Sequence, residues 1–102
     1  MINMRKITQD AIRAFENGLD FKRSNTEVVV CDQDKYRVLI LHGNVIAKMD
    51  WKGDLFITSA GWKTTTTKER LNGLPNVHIV QKNFEWFLNG EWWDGSLIKV
   101  GA

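Results

Sequence analysis

Two pairs of asparagine and glycine between short apolar runs constrain the fold of this chain most strongly. They are Gly43-Asn44 and Asn89-Gly90. Both residue types adopt positive φ angles at low cost, and two-residue hairpin turns require such angles. Each pair therefore predicts a tight antiparallel hairpin. The predicted flanking strands are residues 36–42, 45–51, 84–88 and 91–93.

Further short runs extend these hairpins. The run from Thr26 to Cys31 is rich in β-branched residues, as strands are. We predict turns at residues 32–35 and 52–54 and a connection near Lys82-Asn83. Four strands between residues 26 and 59 should form an antiparallel meander, and the last run should close a sheet edge. The additional predicted strands are residues 26–31, 55–59, 77–81 and 96–100.

The N-terminal segment has helical rather than strand periodicity. Its apolar residues recur at steps of three and four, which gives one apolar face, and Asn17-Gly18 suits the left-handed end of a helix. We expect Leu19 and Phe21 to fold back and Lys22-Arg23 to form a solvated turn. The sequence thus predicts one α+β domain over residues 1–102. The apolar face comprises Met4, Ile7, Ala11, Ala14 and Phe15.

The stretch from Ala60 to Gly73 interrupts the strand pattern. Within it, Thr66 and Glu69 have the spacing of a capping box, in which each side chain bonds the other residue's backbone amide. Leu71 would be the buried contact of a short central helix, and Gly73 its stop. This structural interpretation needs no ligand.

The remaining residues of this stretch suit a ligand that combines a phosphate and a base. Hydroxyls and amides at a helix start favour anions, and lysine and arginine add charge. An indole offers a flat face to a nucleobase. We expect the turn at His42-Gly43-Asn44 to form the opposite wall. The candidate site residues are Trp62, Lys63, Thr64, Thr65, Thr66, Thr67, Arg70, Asn72, His42 and Asn44.

Other site chemistries have little support. Asp32 and Asp34 lack the spacing of a calcium loop, and one cysteine with two histidines does not make a zinc site. The phosphate-binding glycine motifs and the serine nucleophile elbow are absent. We therefore expect no metal, no cofactor and no catalytic residues. His42 and His78 are interpreted as structural strand residues.

The composition of the chain limits which binding partners and which cellular compartment we expect. A net charge of +2 is too small to indicate nucleic acid. No apolar run is long enough to span a membrane. Cys31 is the single cysteine, so we expect a buried, inert thiol in a reducing cytoplasm. Five tryptophans in 102 residues serve a core, an interface or base stacking, and they favour self-association.

Two segments resemble small proteins encoded by tailed bacteriophages. One is the run from Leu39 to Ala47, and the other is Gly-Trp-x-Thr-x-Thr-Thr-x-x-Arg-Leu-Asn-Gly from Gly61 to Gly73. The end of the chain, with Leu88-Asn89-Gly90 and Trp93, is also similar. The resemblance implies a viral accessory protein in the cytoplasm of an infected bacterium. It points to His42, Asn44, Trp62, Thr64, Thr66, Thr67, Arg70 and Asn72.

Four functions remain open on the sequence alone. The first is a non-enzymatic protein that binds and sequesters a nucleotide-like host defence signal. The second, equally favoured, is a protein-binding inhibitor of a host enzyme or defence complex. A single-stranded nucleic-acid binder and an enzyme are less favoured.

Overall fold

The larger of two antiparallel sheets contains six strands, in the order β1 Phe21–Arg23, β2 Thr26–Cys31, β3 Tyr36–Leu41, β4 Asn44–Met49, β5 Leu55–Ile57 and β9 Ile98–Val100. This description rests on a computed structural model that describes residues 5–31, 33 and 35–100. Consecutive strands pair as neighbours, which confirms the predicted meander, and β9 closes the sheet edge beside β5.

Two predictions about this sheet were wrong. Lys22 and Arg23 belong to β1, which pairs with β2, because Ser24-Asn25 makes a tight turn with Ser24 at φ 55°. The β3–β4 turn is His42-Gly43 rather than Gly43-Asn44. Both of its residues have positive φ, and Asn44 pairs with Leu41 as the first residue of β4.

The helix α1, Lys6–Asn17, packs on β1, β2 and β3 and ends at Gly18 with φ 67°, as predicted. Its buried side chains include Ala11 and Phe15. Cys31 is half-buried, not buried as expected. Three residues that the predictions use lie outside the described residues. They are Met4 of the predicted helix face and Asp32 and Asp34 of the predicted turn.

A smaller sheet carries the C-terminal hairpins. Asn89-Gly90 forms the predicted turn with two positive φ angles, whereas the preceding turn is Asn83-Phe84 and not Lys82-Asn83. Trp86 and Trp93 lie in the core with ring centroids 6.1 Å apart. The predicted α+β class is therefore confirmed. The strands are β6 Ile79–Lys82, β7 Glu85–Leu88 and β8 Glu91–Trp92.

The central helix α2, Thr65–Leu71, begins two residues earlier than the predicted capping box implies. Thr64 is the N-cap, and its hydroxyl accepts from the Thr67 amide at 3.1 Å. Gly73 has a packing role, because a Cβ there would lie 2.7 Å from Ile12 of α1. A glycine at this position lets the two helices approach each other.

Glu69 does not cap α2 but joins a buried network around Arg70. The Arg70 guanidinium, only 1% exposed, donates to Thr8 of α1 at 2.7 Å and to Thr26 of β2 at 3.0 Å. It also pairs with the Glu69 carboxylate, which accepts from the Thr8 hydroxyl. Burial lowers the pKa of Arg70, and Glu69 opposes this shift. The network joins α1, α2 and the larger sheet.

We predict that Arg70→Ala lowers the free energy of unfolding by about 3–5 kcal/mol, because it leaves buried polar groups without their partner. Urea denaturation measures the loss. Arg13→Ala is the matched control: its exposed side chain pairs with Asp10 at 3.6 Å, and the loss should stay within about 1 kcal/mol. Equal losses in the two variants would contradict a structural role for Arg70.

The position of the helix cap is testable with two threonines. Thr64→Ala removes the hydroxyl that accepts from the Thr67 amide and should cost about 1 kcal/mol of stability. Thr66→Ala should cost less than about 0.5 kcal/mol, because Thr66 lies inside the helix and alanine favours helix. Thermal unfolding followed by circular dichroism compares them. The reverse order would restore Thr66 as the cap.

Candidate functional site

A groove of about 400 Å³ lies between the start of α2 and the β3–β4 turn. It brings together six of the ten predicted site residues, from both predicted walls. Apart from the His42 imidazole, its lining carries no ionisable side chain. We call it the α2 groove. Its lining residues are Leu41, His42, Asn44, Ile46, Ser59, Trp62, Thr64, Thr66 and Thr67.

The wall that carries Trp62 is built by a tight turn after β5. The Ser59 carbonyl accepts from the Trp62 amide at 2.9 Å, and Ala60 and Gly61 between them have positive φ. The Ser59 amide donates to the Gly95 carbonyl at 2.8 Å, which ties this turn to the C-terminal loop. The indole of Trp62 is 61% exposed, so one large aromatic surface is available at the groove.

The wall next to it is the first turn of α2. The Thr64 and Thr67 hydroxyls lie 3.0 Å apart, and Thr64 also accepts from the Thr67 amide. These contacts fix the two side chains as part of the helix cap. Thr66 is a half-buried hydroxyl residue on the same wall.

The opposite wall is the β3–β4 turn. The backbone amide of His42 donates to the Asn25 carbonyl at 2.8 Å, and its ring Nε2 lies 3.3 Å from the Asn25 side-chain amide. The Asn44 side-chain amide donates to the His42 carbonyl at 3.4 Å. The turn is thus held from both sides, and His42 itself stays exposed.

The groove floor is apolar because of a β-bulge. Leu39 pairs with Ala47 and Ile40 with Val45, so Ile46 has no pairing partner of its own in β3. Ile46 is 1% exposed and Leu41 3% exposed, and both line the groove. The alternation of apolar and polar residues along the strand contains no signal for this bulge, and the sequence prediction therefore omitted both floor residues.

Four predicted site residues do not line the α2 groove. Arg70 is buried in its network, so its guanidinium is not at a surface where it could grip a phosphate. Asn72 donates to the Ile79 carbonyl and accepts from the Ile79 amide, which joins α2 to β6. Thr65 lines a different cavity with Lys68 and His78.

Lys63, the fourth of these residues, lies towards the C-terminal loop. A Cβ at Gly95 would be 3.2 Å from its side chain. The pKa of Asp94 lies below its ordinary value, first because Ser96 hydrogen-bonds to it and also because the positive charge of Lys63 is near. Lys63 therefore balances an acidic neighbour outside the α2 groove.

A larger cavity of about 570 Å³ lies at another site, beside β3 and the β4–β5 turn. Lys52 lies over Trp51 at 5.8 Å and Lys48 over Tyr36 at 4.5 Å, although Trp51 remains 71% exposed. Sequence reasoning overlooked this cavity, although Tyr36 and Trp51-Lys52-Gly53 flank paired strands. The α2 groove brings together six of the ten predicted site residues and the larger cavity none, so we favour the α2 groove as the site. The larger cavity is lined by Gly18, Val30, Cys31, Lys35, Tyr36, Arg37, Asp50, Trp51, Lys52 and Gly53.

Two kinds of feature are absent from residues 5–31, 33 and 35–100. No group of three or more histidine, cysteine or carboxylate side chains in that part of the chain could hold a metal ion. No helix there is long and apolar enough to cross a membrane.

Comparison with known proteins places the chain in a viral family. A family model described as Kyanoviridae Gp96 protein matches residues 4–99, nearly the whole chain. Comparisons with curated proteins and with solved structures gave no match. The matched region includes both walls and the floor of the α2 groove. The chain is a phage protein and belongs to the Kyanoviridae Gp96 protein family.

Proposed function

We propose that this phage protein is a non-enzymatic binding protein that sequesters a nucleotide-like host signal, with the base of the ligand in the α2 groove. It would act in the cytoplasm of the infected bacterium. The observation that carries the proposal is the convergence of Trp62, three threonines of α2 and its cap (Thr64, Thr66 and Thr67) and the His42 turn on one groove.

The chemistry of the lining suits a heterocyclic base. A free indole face can stack on a base, and stacking contributes about 1–3 kcal/mol. Leu41 and Ile46 supply an apolar floor, while Asn44 and Thr66 supply polar groups at the rim. A volume of about 400 Å³ is within the range of small-molecule sites, roughly 300–1,000 Å³.

The lack of lysine and arginine in the described lining of the groove changes which part of a nucleotide we expect the groove to recognise. Lysine and arginine were predicted to hold a phosphate, but neither residue type is among the described lining residues. An uncharged groove binds the base more readily than the phosphate, because an anion there would lose hydration without a partner. We therefore propose recognition by the base, with the phosphate in solvent.

Calorimetry of the purified protein against cyclic and linear nucleotides tests this function. For a nucleotide that binds, Trp62→Ala should weaken the affinity about 5- to 150-fold through lost stacking. Trp51→Ala is the matched control, because Trp51 is 71% exposed but lines the larger cavity. The affinity of the Trp51→Ala variant for the same nucleotide should equal that of the wild type.

Two outcomes would overturn the proposal. One is no heat and no change in tryptophan fluorescence across the whole nucleotide panel. The other is binding that Trp51→Ala abolishes and Trp62→Ala preserves, which would assign the ligand to the larger cavity.

A second candidate function, inhibition of a host protein, has its own supporting observation. The outer face of the smaller sheet carries a cross-strand row of Val80, Phe87 and Trp92. Trp92 is 58% exposed, and Phe84 in the β6–β7 turn of the same sheet is 92% exposed. Exposed aromatic side chains of this kind anchor protein interfaces.

This second function predicts that a host protein is retained from lysate by the wild type and lost with Trp92→Ala. Truncating an interface anchor typically costs about 2 kcal/mol or more, or roughly 30-fold in affinity. Trp62→Ala serves as the control, because Trp62 lies at the α2 groove. Retention of the same protein by both variants would exclude the smaller sheet as the interface.

A further inference from the structure

A chain of hydrogen bonds links the buried Arg70 to His42 at the α2 groove. Arg70 Nε donates to Thr26 Oγ1 at 3.0 Å, and Thr26 Oγ1 lies 2.8 Å from Asn25 Oδ1. Asn25 Nδ2 is then 3.3 Å from His42 Nε2. The four side chains come from α2, from β2, from the β1–β2 turn and from the β3–β4 turn.

The direction of each bond follows from the chemistry of its first member. A guanidinium has donors only, so Thr26 Oγ1 must accept from Arg70. The hydroxyl proton is then free to donate to Asn25, which requires the amide oxygen on that side. The amide nitrogen of Asn25, with donors only, therefore points at His42 Nε2.

A ring nitrogen that faces a donor must carry a lone pair. In a neutral imidazole the proton is then on the other nitrogen, because one nitrogen is a donor and the other an acceptor. The backbone of His42 is anchored at the same residue, Asn25, which limits movement of the ring. No acceptor for an Nδ1 proton is found among the described hydrogen bonds of His42.

We propose that His42 is the specificity-determining residue of the α2 groove, and that its imidazole in the neutral form carries the proton on Nδ1. It offers this proton to a hydrogen-bond acceptor of the ligand, such as a ring nitrogen or a carbonyl oxygen of a heterocycle. Thr26 and Asn25 are positioning residues that act through His42. The ligand half of this inference rests on the proposed function, whereas the tautomer half does not.

Long-range ¹H–¹⁵N correlation spectra of the histidine side chains test the tautomer without any ligand. At a pH at which histidines are neutral, His42 should show a protonated Nδ1 and an unprotonated Nε2, the reverse of the preference of a free histidine side chain in water. His78, which is exposed, is the internal reference. An Nε2–H tautomer at His42 in the wild type would overturn the inference.

Variants of the two positioning residues, Asn25 and Thr26, should change the tautomer of His42. A purely structural role for these residues would leave that tautomer unchanged. In Asn25→Asp the carboxylate has no donor, so Nε2 of His42 should carry a proton. Thr26→Val should release the Asn25 amide and shift the tautomer towards Nε2–H, whereas Thr26→Ser should restore the wild-type spectrum. An unchanged Nδ1–H signature in both Asn25→Asp and Thr26→Val would contradict control by this chain.

Benzimidazole and indole test the ligand half, because they share one shape and differ in a ring nitrogen acceptor. Chemical-shift titration should show benzimidazole binding about two- to tenfold more tightly, the worth of one hydrogen bond. The difference should vanish in Asn25→Asp. Equal affinities in the wild type would overturn the ligand half. Binding of neither probe would overturn it together with base recognition in the groove, even if the tautomer is the one expected.

Discussion

The fold depends on one buried cation. Arg70 lies where α1, α2 and the larger sheet meet, and its guanidinium bonds side chains from all three. A buried charge is costly unless it is paired and hydrogen-bonded, so Glu69, Thr8 and Thr26 are required around it. This requirement fixes how α2 sits on the sheet, with Gly73 allowing α1 to approach. The position of α2 in turn determines one wall of the α2 groove.

The same cation connects the core with the proposed site. Because the Thr26 hydroxyl accepts from Arg70, its own proton is donated to the Asn25 amide oxygen. The amide nitrogen of Asn25 then faces the His42 ring. The groove is therefore not an isolated surface feature. Its apolar floor and uncharged rim favour a flat, neutral group, and its fixed polar atoms favour a ligand with matching hydrogen-bond groups. A flexible, charged surface would instead bind anions, and it would discriminate less among them. The observed groove therefore predicts a flat, neutral group as ligand, whereas a charged surface would predict an anion.

The sequence predicted the elements better than the contacts. Asn89-Gly90 and Asn17-Gly18 were located correctly, because positive φ is a local property of these residues. The β3–β4 turn moved by one residue to His42-Gly43, since strand register depends on partners that the local pattern does not reveal. The burial of individual polar side chains was the second property that the sequence could not predict. Arg70 and Asn72 have the residue types of a ligand site, yet Arg70 Nε and Nη1 donate to Thr26 and Thr8, and the Asn72 side chain bonds the backbone of Ile79. Only the packing of distant segments distinguishes the two uses.

The most direct test of base recognition in the α2 groove is a backbone amide chemical-shift map of the protein saturated with a nucleotide that calorimetry shows to bind. Two segments that are distant in sequence should respond together, namely residues 42–46 and 62–67, which form the groove walls and floor. Residues 50–53 of the larger cavity should stay unchanged. Perturbations confined to residues 50–53 and Tyr36, or to the smaller sheet, would contradict the assignment of the ligand to the α2 groove.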